Sequence, residues 1–183
     1  MDLYLIRHPR PDIAPGLCYG ASDVGLAEPV APVAARLRAL LPADIPVYSS
    51  PLARALRLAE ALGEPRIDPR LREIDFGAWE LQPFDALRDE LDAWAEDPLG
   101  FRAPGGESAL DMAARVHAAL DDLLAMHHEG AVAVVAHGGP LRAIAGRLLG
   151  LPQARWLGLD FAFGALTQLE VAAWGTVLKG FNR

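Results

Sequence analysis

The sequence has one cysteine, one lysine and no long hydrophobic run. Because Cys18 is the only cysteine, no internal disulfide can form, nor a metal site built on several cysteines. The purely apolar runs, such as Ala131–Ala136, are far shorter than the ~20 residues that cross a bilayer. The N-terminus also lacks the apolar stretch of a signal peptide. These absences predict a cytoplasmic protein in a reducing compartment, without membrane attachment.

The composition is that of a folded globular chain. With 183 residues, of which 52% are hydrophobic and 22% charged, it is long enough to build a core and too apolar to be disordered. The net charge of −7 argues against a general binder of nucleic acid or anionic membranes. The length predicts a single domain over residues 1–183.

Apolar strand-like runs alternate with segments of helical spacing along the chain. Leu3–Ile6 and Ala131–Ala136 are typical of buried strands. The remaining assignments are helices over Pro29–Leu41, Pro51–Leu62, Phe84–Glu96, a segment from Ala109 and one after His137, short strands at Pro46–Tyr48 and Arg66–Asp68, and two or three strand-like runs in Leu157–Phe181. This order predicts an α/β fold, a three-layer αβα sandwich with a mostly parallel central sheet and an antiparallel edge.

Two helices carry recognisable start signals. Ser50 followed by Pro51 predicts a helix whose first residue is that proline and whose cap is the serine. Ser108 with Asp111 three residues later resembles a capping box.

Two of the strands are followed by a histidine. The chain reads Ile6-Arg7-His8 at the first strand and Ala136-His137-Gly138 at the later one. Ligands of open α/β sheets bind at the carboxyl ends of strands, so His8 and His137 share one rim if both strands are central. Imidazole titrates near neutrality and can act as a nucleophile. The glycines after His137 suit a helix N-terminus, which attracts anions.

Three further side chains complete a candidate set. Arg54 falls in the first helical turn, where a cation is disfavoured unless an anion pairs with it. Its guanidinium suits a phosphate, although a surface arginine is an equally simple explanation. Glu73 could protonate a leaving oxygen, and Glu107 is the rival carboxylate.

Taken singly, each of these residues has an ordinary structural explanation. Together they form a set for phosphoryl transfer that needs no metal. One histidine attacks phosphorus, the guanidiniums and the second histidine neutralise the phosphoryl oxygens, and the carboxylic acid protonates the departing alkoxide.

The motifs occur in the order typical of a known family. The segments that carry the resemblance are Leu5-Ile6-Arg7-His8, Ser49-Ser50-Pro51-Leu52-Ala53-Arg54-Ala55, Leu71-Arg72-Glu73 through Gly77-Ala78-Trp79-Glu80, Gly105-Gly106-Glu107-Ser108 and Val134-Val135-Ala136-His137-Gly138-Gly139. The chain thereby resembles the histidine phosphatase superfamily, with its phosphoglycerate-mutase-like fold, over nearly its whole length.

The resemblance implies a role for each residue. His8 becomes transiently phosphorylated, Glu73 is proton donor and then base, and His137 acts with them in catalysis. Phosphate binding falls to Arg7, Arg54, His137 and Gly138. Possible substrate contacts are Arg10, Tyr19, Ser22 and Glu107. No metal or organic cofactor is implied, and the expected partner is a small phosphorylated metabolite bound by a monomer or homodimer.

The sequence departs from the family pattern beside the first histidine. Pro9 replaces the usual glycine and removes a backbone donor, and Arg10 could restore the lost positive character. Leu81 also stands where a glycine is common.

Within the superfamily, Arg7–Pro11 followed by Gly16–Asp23 resembles the alpha-ribazole phosphatases of cobalamin synthesis. In this family the segment around residues 82–106 is expected to be a variable helical insertion. Only about 25 residues separate the acid motif, Leu71 through Glu80, from Gly105-Gly106-Glu107-Ser108. The mutases of the superfamily are longer chains with an extra insertion that closes over the site, so this short spacing favours water over substrate as the phosphoryl acceptor. A mutase and a non-catalytic phosphate-binding module remain alternatives.

The aromatic residues near the acid motif divide into two groups. Phe76 and Trp79 could wall the substrate, whereas Trp94 is expected in the core, as is His117 on its helix.

Overall fold

The computed structural model describes residues 1–183 and is built around one six-stranded sheet. The strands are β1 (Asp2–Arg7), β2 (Val47–Ser49), β3 (Pro65–Ile67), β4 (Ala131–Ala136), β5 (Leu166–Ala172) and β6 (Gly175–Gly180). Their order is β3-β2-β4-β1-β5-β6. The first four are parallel, while β5 and β6 pair antiparallel at one edge. The expected mostly parallel sheet with an antiparallel edge is confirmed.

Helices cover both faces of this sheet. They are α1 (Val30–Arg38), α2 (Ala53–Leu62), α3 (Arg88–Glu96), α4 (Ala109–Met126) and α5 (Gly138–Leu148), with short 3-10 turns at Pro69–Leu71, Gly77–Trp79, Phe84–Leu87 and Gln153–Gly158. None of these helices has the length and apolarity that a membrane span requires.

The central strands alternate their side chains between two cores. Leu3 and Leu5 pack with α4 and α5, whereas Tyr4 and Ile6 pack with α1 and α2. A strand covered on both faces is apolar at every position, which explains the uninterrupted run of β4. The three layers predicted from the sequence are therefore present.

The start of α2 differs from the expectation. The helix begins at Ala53, and Leu52, in an extended conformation, occupies the cap position without a side-chain cap. Ser50 lies before the helix, where its hydroxyl accepts a hydrogen bond from the Leu52 N–H at 3.3 Å and contacts His137. The local sequence predicts that Ser50 caps the helix, but in the structure its hydroxyl also contacts His137, which comes from a distant segment.

The capping box of α4 is confirmed. Ser108 Oγ accepts from the Asp111 N–H at 3.1 Å, and Asp111 Oδ2 accepts from the Ser108 N–H at 2.8 Å.

Of the strand-like runs expected in Leu157–Phe181, two form strands, β5 and β6. That a single domain spans residues 1–183, with a variable insertion around 82–106, stays a prediction.

Candidate active site

His8 and His137 meet at the carboxyl ends of β1 and β4. The parallel register pairs Arg7 with Ala136, so the next residue on each strand is a histidine. Their ring centroids are 5.0 Å apart, with the planes tilted by 58°. The exposed fractions are 2% for His8 and 0% for His137. Neighbouring central strands thus bring the two histidines together on one rim, as the sequence predicted.

The His8 ring is held as a neutral base. Burial lowers its pKa to about 3, and the nearby Arg54 and Arg7 charges act in the same direction. Its Nδ1 lies 2.6 Å from the Pro9 carbonyl oxygen, which can only accept, so Nδ1 carries the proton. Nε2 is left with a lone pair, the condition for a nucleophilic imidazole.

His137 sits at the N-terminus of α5. Its Nε2 is 2.7 Å from Ser50 Oγ, while Nδ1 is buried and has no hydrogen-bond partner. Burial holds the pKa of this ring well below its usual value, and the Arg54 and Arg7 charges lower it further. An entering anion would offset that cost, because it favours the protonated ring.

Two guanidiniums flank the histidines. Arg7 donates from Nη1 to the Phe161 carbonyl at 2.6 Å, and Arg54 is completely buried. Burial lowers the pKa of both arginines, and the Glu73 carboxylate acts against that shift. The Nε atoms of both are buried without a partner. Unpaired buried donors on two cations are what an oxyanion could satisfy.

Glu73 reaches the site from the segment after β3. Its Oε1 accepts from the Ile74 N–H at 3.0 Å, and its Oε2 accepts from the Gly139 N–H at 3.2 Å. A Cβ at position 139 would overlap Glu73 Oε1, so the glycine permits this approach. The carboxyl group is therefore held against the first turn of α5, next to the histidines.

Glu107 does not reach the cavity. It accepts from the Asp75 N–H at 3.0 Å and forms an ion pair with Arg115. Arg115 also donates to the carbonyls of Arg70, Arg72 and Glu73, the last at 3.0 Å. The Glu107–Arg115 ion pair therefore holds the loop that carries Glu73 in place. Arg115 was missed by the sequence reasoning, although an arginine on the polar side of α4 eight residues after Glu107 was the available signal.

The cavity at this rim has a volume of about 290 Å³. Its charged lining residues are Arg7, Glu73 and Arg142, and the neutral His8 ring lines it with them. The other walls are apolar: Tyr19, Ile74, Phe76, Trp94, Pro98, Leu99, Ala109, Met112, Trp156 and Leu157. A larger crevice of about 870 Å³ at the opposite end of the strands, near residues 41–47 and 62–66, contains none of the candidate residues.

The aromatic assignments are partly corrected by this cavity. Phe76 lines it, as expected. Trp79 is only 3% exposed, packs with Cys18 and does not line this cavity. It lines a second cavity of about 310 Å³, which shares Tyr19, Phe76 and Trp94 with the first. Trp94 lines both cavities although it was expected in the core. Amphipathic spacing places an aromatic on the inner face of a helix, but whether a neighbour or a cavity covers it depends on the fold.

The remaining sequence candidates divide in the same way. Tyr19 lines the cavity. Gly138 leaves room for the cations, since a Cβ there would lie 3.1 Å from an Arg142 nitrogen. Neither Arg10 nor Ser22 lines the cavity. Arg10 is exposed, and the Ser22 hydroxyl donates to Glu80 at 2.6 Å.

Arg142 is a cation of the site that the sequence reasoning missed. It lies one turn into α5 and donates from Nε to the Leu159 carbonyl at 2.8 Å.

No cluster of three or more histidine, cysteine, aspartate or glutamate side chains is arranged to hold a metal ion.

Comparison with known families gives one match that covers the chain. A family model described as the histidine phosphatase superfamily (branch 1) matches residues 3–183. Among curated proteins, a probable phosphoglycerate mutase (GpmB) of Yersinia pestis is 36% identical over 115 residues, which cover 58% of this chain and 54% of the relative. The match thus spans about half the length of that relative.

Solved structures match over the whole fold. The alpha-ribazole phosphatase from Shigella flexneri has a TM-score of 0.90 and 26% identity, covering 100% of this chain and 96% of that one. A mycobacterial glucosyl-3-phosphoglycerate phosphatase, solved with VO3, has a TM-score of 0.85 and 31% identity, covering 99% and 98%. The chain is similar to enzymes whose names describe different phosphorylated substrates.

Proposed function

The chain belongs to the histidine phosphatase superfamily, whose members are phosphatases and mutases, and we propose that it hydrolyses a small phosphomonoester through a phosphohistidine on His8. The observation that supports this proposal most directly is the protonation state of the His8 ring. Its Nδ1 is committed to the Pro9 carbonyl and its pKa is lowered to about 3, which leaves Nε2 as a neutral nucleophile beside two arginines.

The first step transfers the phosphoryl group to His8. The Nε2 lone pair forms a bond to phosphorus while the bond to the alcohol oxygen breaks, and the protonated Glu73 gives its proton to that oxygen. Arg7, Arg54 and His137 stabilise the charge on the phosphoryl oxygens, with Gly138 at the positive end of α5.

The second step releases phosphate. The Glu73 carboxylate takes a proton from water, the water oxygen attacks phosphorus, and the phosphorus–nitrogen bond breaks to restore His8. The guanidiniums supply the positive charge throughout, so the proposed route uses no metal or organic cofactor.

For the substrate, we propose alpha-ribazole 5'-phosphate, in cobalamin synthesis. The similarity to the Shigella flexneri alpha-ribazole phosphatase over the whole chain supports this choice. So do the apolar cavity walls formed by Phe76, Trp94 and Trp156, because aromatic side chains pack favourably on a flat benzimidazole ring. Tyr19, which also lines the cavity, is the substrate contact best supported by position.

The alternative is phosphoryl transfer back to the substrate, as in a phosphoglycerate mutase. It is favoured by the similarity to the Yersinia pestis relative. Arg142, a further cation lining the cavity, could face a second anionic group of such a substrate.

We propose that the protein acts in the cytoplasm as one domain over residues 1–183, as a monomer or homodimer. The net charge of −7 supports a role without nucleic acid or anionic membranes.

The test is phosphate release in excess EDTA from alpha-ribazole 5'-phosphate, sugar phosphates, nucleotides and 3-phosphoglycerate, with His8→Ala as control. We expect preference for alpha-ribazole 5'-phosphate and no turnover in the variant. Phosphorus NMR of the products distinguishes free phosphate from an isomer of the substrate. An isomer would establish the mutase, and equal activity in wild type and His8→Ala would contradict the phosphohistidine route.

A further inference from the structure

Glu80 lies beside the site without lining its cavity, and its carboxylate accepts five hydrogen bonds. Oε1 accepts from the Ala21 N–H at 2.9 Å and the Phe76 N–H at 3.0 Å. Oε2 accepts from the Gly20 N–H at 3.0 Å, and from the N–H and hydroxyl of Ser22 at 3.1 and 2.6 Å. Four of the five donors belong to Gly20–Ser22, so the carboxylate gathers that segment around itself.

These hydrogen bonds keep Glu80 ionised. Burial alone would raise its pKa, but the hydrogen bonds from Ser22, Gly20 and Phe76 outweigh that effect and hold the pKa below its usual value. A half-buried negative charge of this kind orders the backbone that satisfies it, because each donor lost would leave the carboxylate underpaired.

Arg54 binds the opposite side of the Gly20–Ser22 segment. Its Nη2 donates to the Gly20 carbonyl at 2.5 Å, and its Nη1 donates to the Ser22 carbonyl at 2.7 Å. The peptide group between Gly20 and Ala21 therefore accepts a hydrogen bond from Arg54 through its carbonyl and donates one to Glu80 through its N–H. It is trans, so the two bonds point in opposite directions and the peptide dipole is aligned between the two charges.

The packing around Gly20 shows how close the segment lies to Glu80. A Cβ there would overlap the Ile74 carbonyl oxygen and lie 2.9 Å from Glu80 Oε1. At the far end, Asp23 Oδ1 accepts from the Ala53 N–H at 2.7 Å, in the first turn of the helix that carries Arg54. The segment is thus attached on both sides and has little room to shift.

We propose that Glu80 is a positioning residue for phosphate recognition. Acting through the Gly20–Ala21 peptide, it sets the orientation of the Arg54 guanidinium and so the tightness with which the site holds a phosphoryl oxyanion. Arg54 has five N–H donors and uses two on the carbonyls, which fixes the plane of the guanidinium and so the positions of the other three, among them the unpaired Nε–H. This proposal rests on the proposed function only in assigning Arg54 to the phosphoryl group.

The test measures binding of inorganic phosphate by calorimetry, together with kcat and KM for p-nitrophenyl phosphate. Glu80→Gln places an NH₂ group against at least two N–H donors and should release the segment. We expect the phosphate Kd to rise about 10- to 100-fold, the factor that the loss of a well-placed hydrogen bond between charged groups costs. Glu90→Gln is the matched control, because that carboxylate bonds only to the Trp79 indole N–H and should change neither value.

A second background separates positioning from a general structural effect. In Arg54→Lys, whose ammonium lacks the two-pronged geometry, Glu80→Gln should weaken phosphate binding less than about 3-fold. An equal factor in both backgrounds, or an unchanged phosphate Kd in Glu80→Gln, would overturn the proposal. If Glu80→Gln does not fold, Ser22→Ala removes one of the five bonds, and we expect the Kd to rise about 2- to 5-fold. An unchanged Kd in Ser22→Ala then overturns it.

The outcomes also separate this proposal from the proposed function. A wild-type protein that binds phosphate but hydrolyses no ester contradicts the hydrolase, while the binding series still decides the role of Glu80. A wild-type protein that binds no phosphate contradicts both.

Discussion

The guanidinium carbon of Arg7 lies 3.7 Å from the centroid of the Phe163 ring. Arg7 ends β1, and Phe163 precedes β5, the antiparallel neighbour of β1. The His8 ring lies 5.5 Å from the same ring, centroid to centroid. One aromatic side chain from the C-terminal segment therefore supports both the cation and the proposed nucleophile.

Replacing Phe163 by Leu should weaken phosphate binding. The change keeps an apolar side chain but removes the ring, and a partly desolvated cation–π contact is worth about 0.5–2 kcal/mol, or roughly 2- to 30-fold in Kd. Calorimetry with inorganic phosphate measures the effect. Phe163→Tyr keeps the ring and should remain near wild type, whereas a Leu variant that binds as tightly as wild type would show that the stack contributes nothing.

Removal of the Arg115 clamp should slow the chemical steps more than it weakens binding. Arg115→Ala frees the loop carbonyls around Glu73, and misplacement of a proton donor can cost about 100-fold in rate. We expect kcat to fall while the Kd of inorganic phosphate stays within about 2-fold, since the arginines of the site are untouched. Arg147→Ala, which breaks an exposed ion pair with Asp121, is the control. An equal loss in phosphate affinity would contradict this division.

The aromatic wall should decide preference among alcohols. Benzyl and ethyl phosphate both release an alcohol whose oxygen is bonded to a CH₂ carbon, so their kcat/KM ratio reports mainly the fit of the ring. Trp94→Ala should reduce the benzyl preference by about 3- to 10-fold, the value of one aromatic contact. Trp174→Ala removes a tryptophan that is 75% exposed, far along the sheet edge, and should leave the ratio unchanged. A Trp94→Ala ratio equal to wild type would place the alcohol elsewhere.

The free energy of unfolding should fall as the pH drops below about 6.5. The pKa of His8 is about 3 in the folded protein and 6.5 when exposed, so in that window the unfolded chain binds a proton that the folded one does not. His137 shifts in the same direction. Each such histidine contributes up to about 1.4 kcal/mol per pH unit.

Urea unfolding between pH 7 and 5 measures this slope. His8→Gln should flatten it, and the double variant His8→Gln/His137→Gln should flatten it further. The window stays above the range in which carboxylates with lowered pKa values, such as Asp68 and Glu80, would add their own loss. An unchanged slope in the double variant would show that neither ring is held neutral.

The residues that sequence reasoning placed well are those whose position depends on backbone pattern. His8 and His137 each follow a fully apolar run, and adjacent parallel strands bring their carboxyl ends to one edge. The Ser108 capping box is likewise local, since both partners lie within four residues. The structure differs from the expectation, or adds a competing contact, at Trp94, Ser22, Glu107 and Ser50. The partners of these side chains are distant in sequence.

By itself the sequence determined the sandwich, the mostly parallel sheet with its antiparallel edge, and the pair of histidines on one rim. These follow from periodicity and from short-range hydrogen bonding, which a linear pattern contains. Only the tertiary structure decided that Arg115 clamps the Glu73 loop, that Trp94 faces the cavity, and that one peptide group joins Glu80 to Arg54. Such contacts form between segments tens of residues apart, where steric fit and burial select the partner from many side chains of the same chemical type.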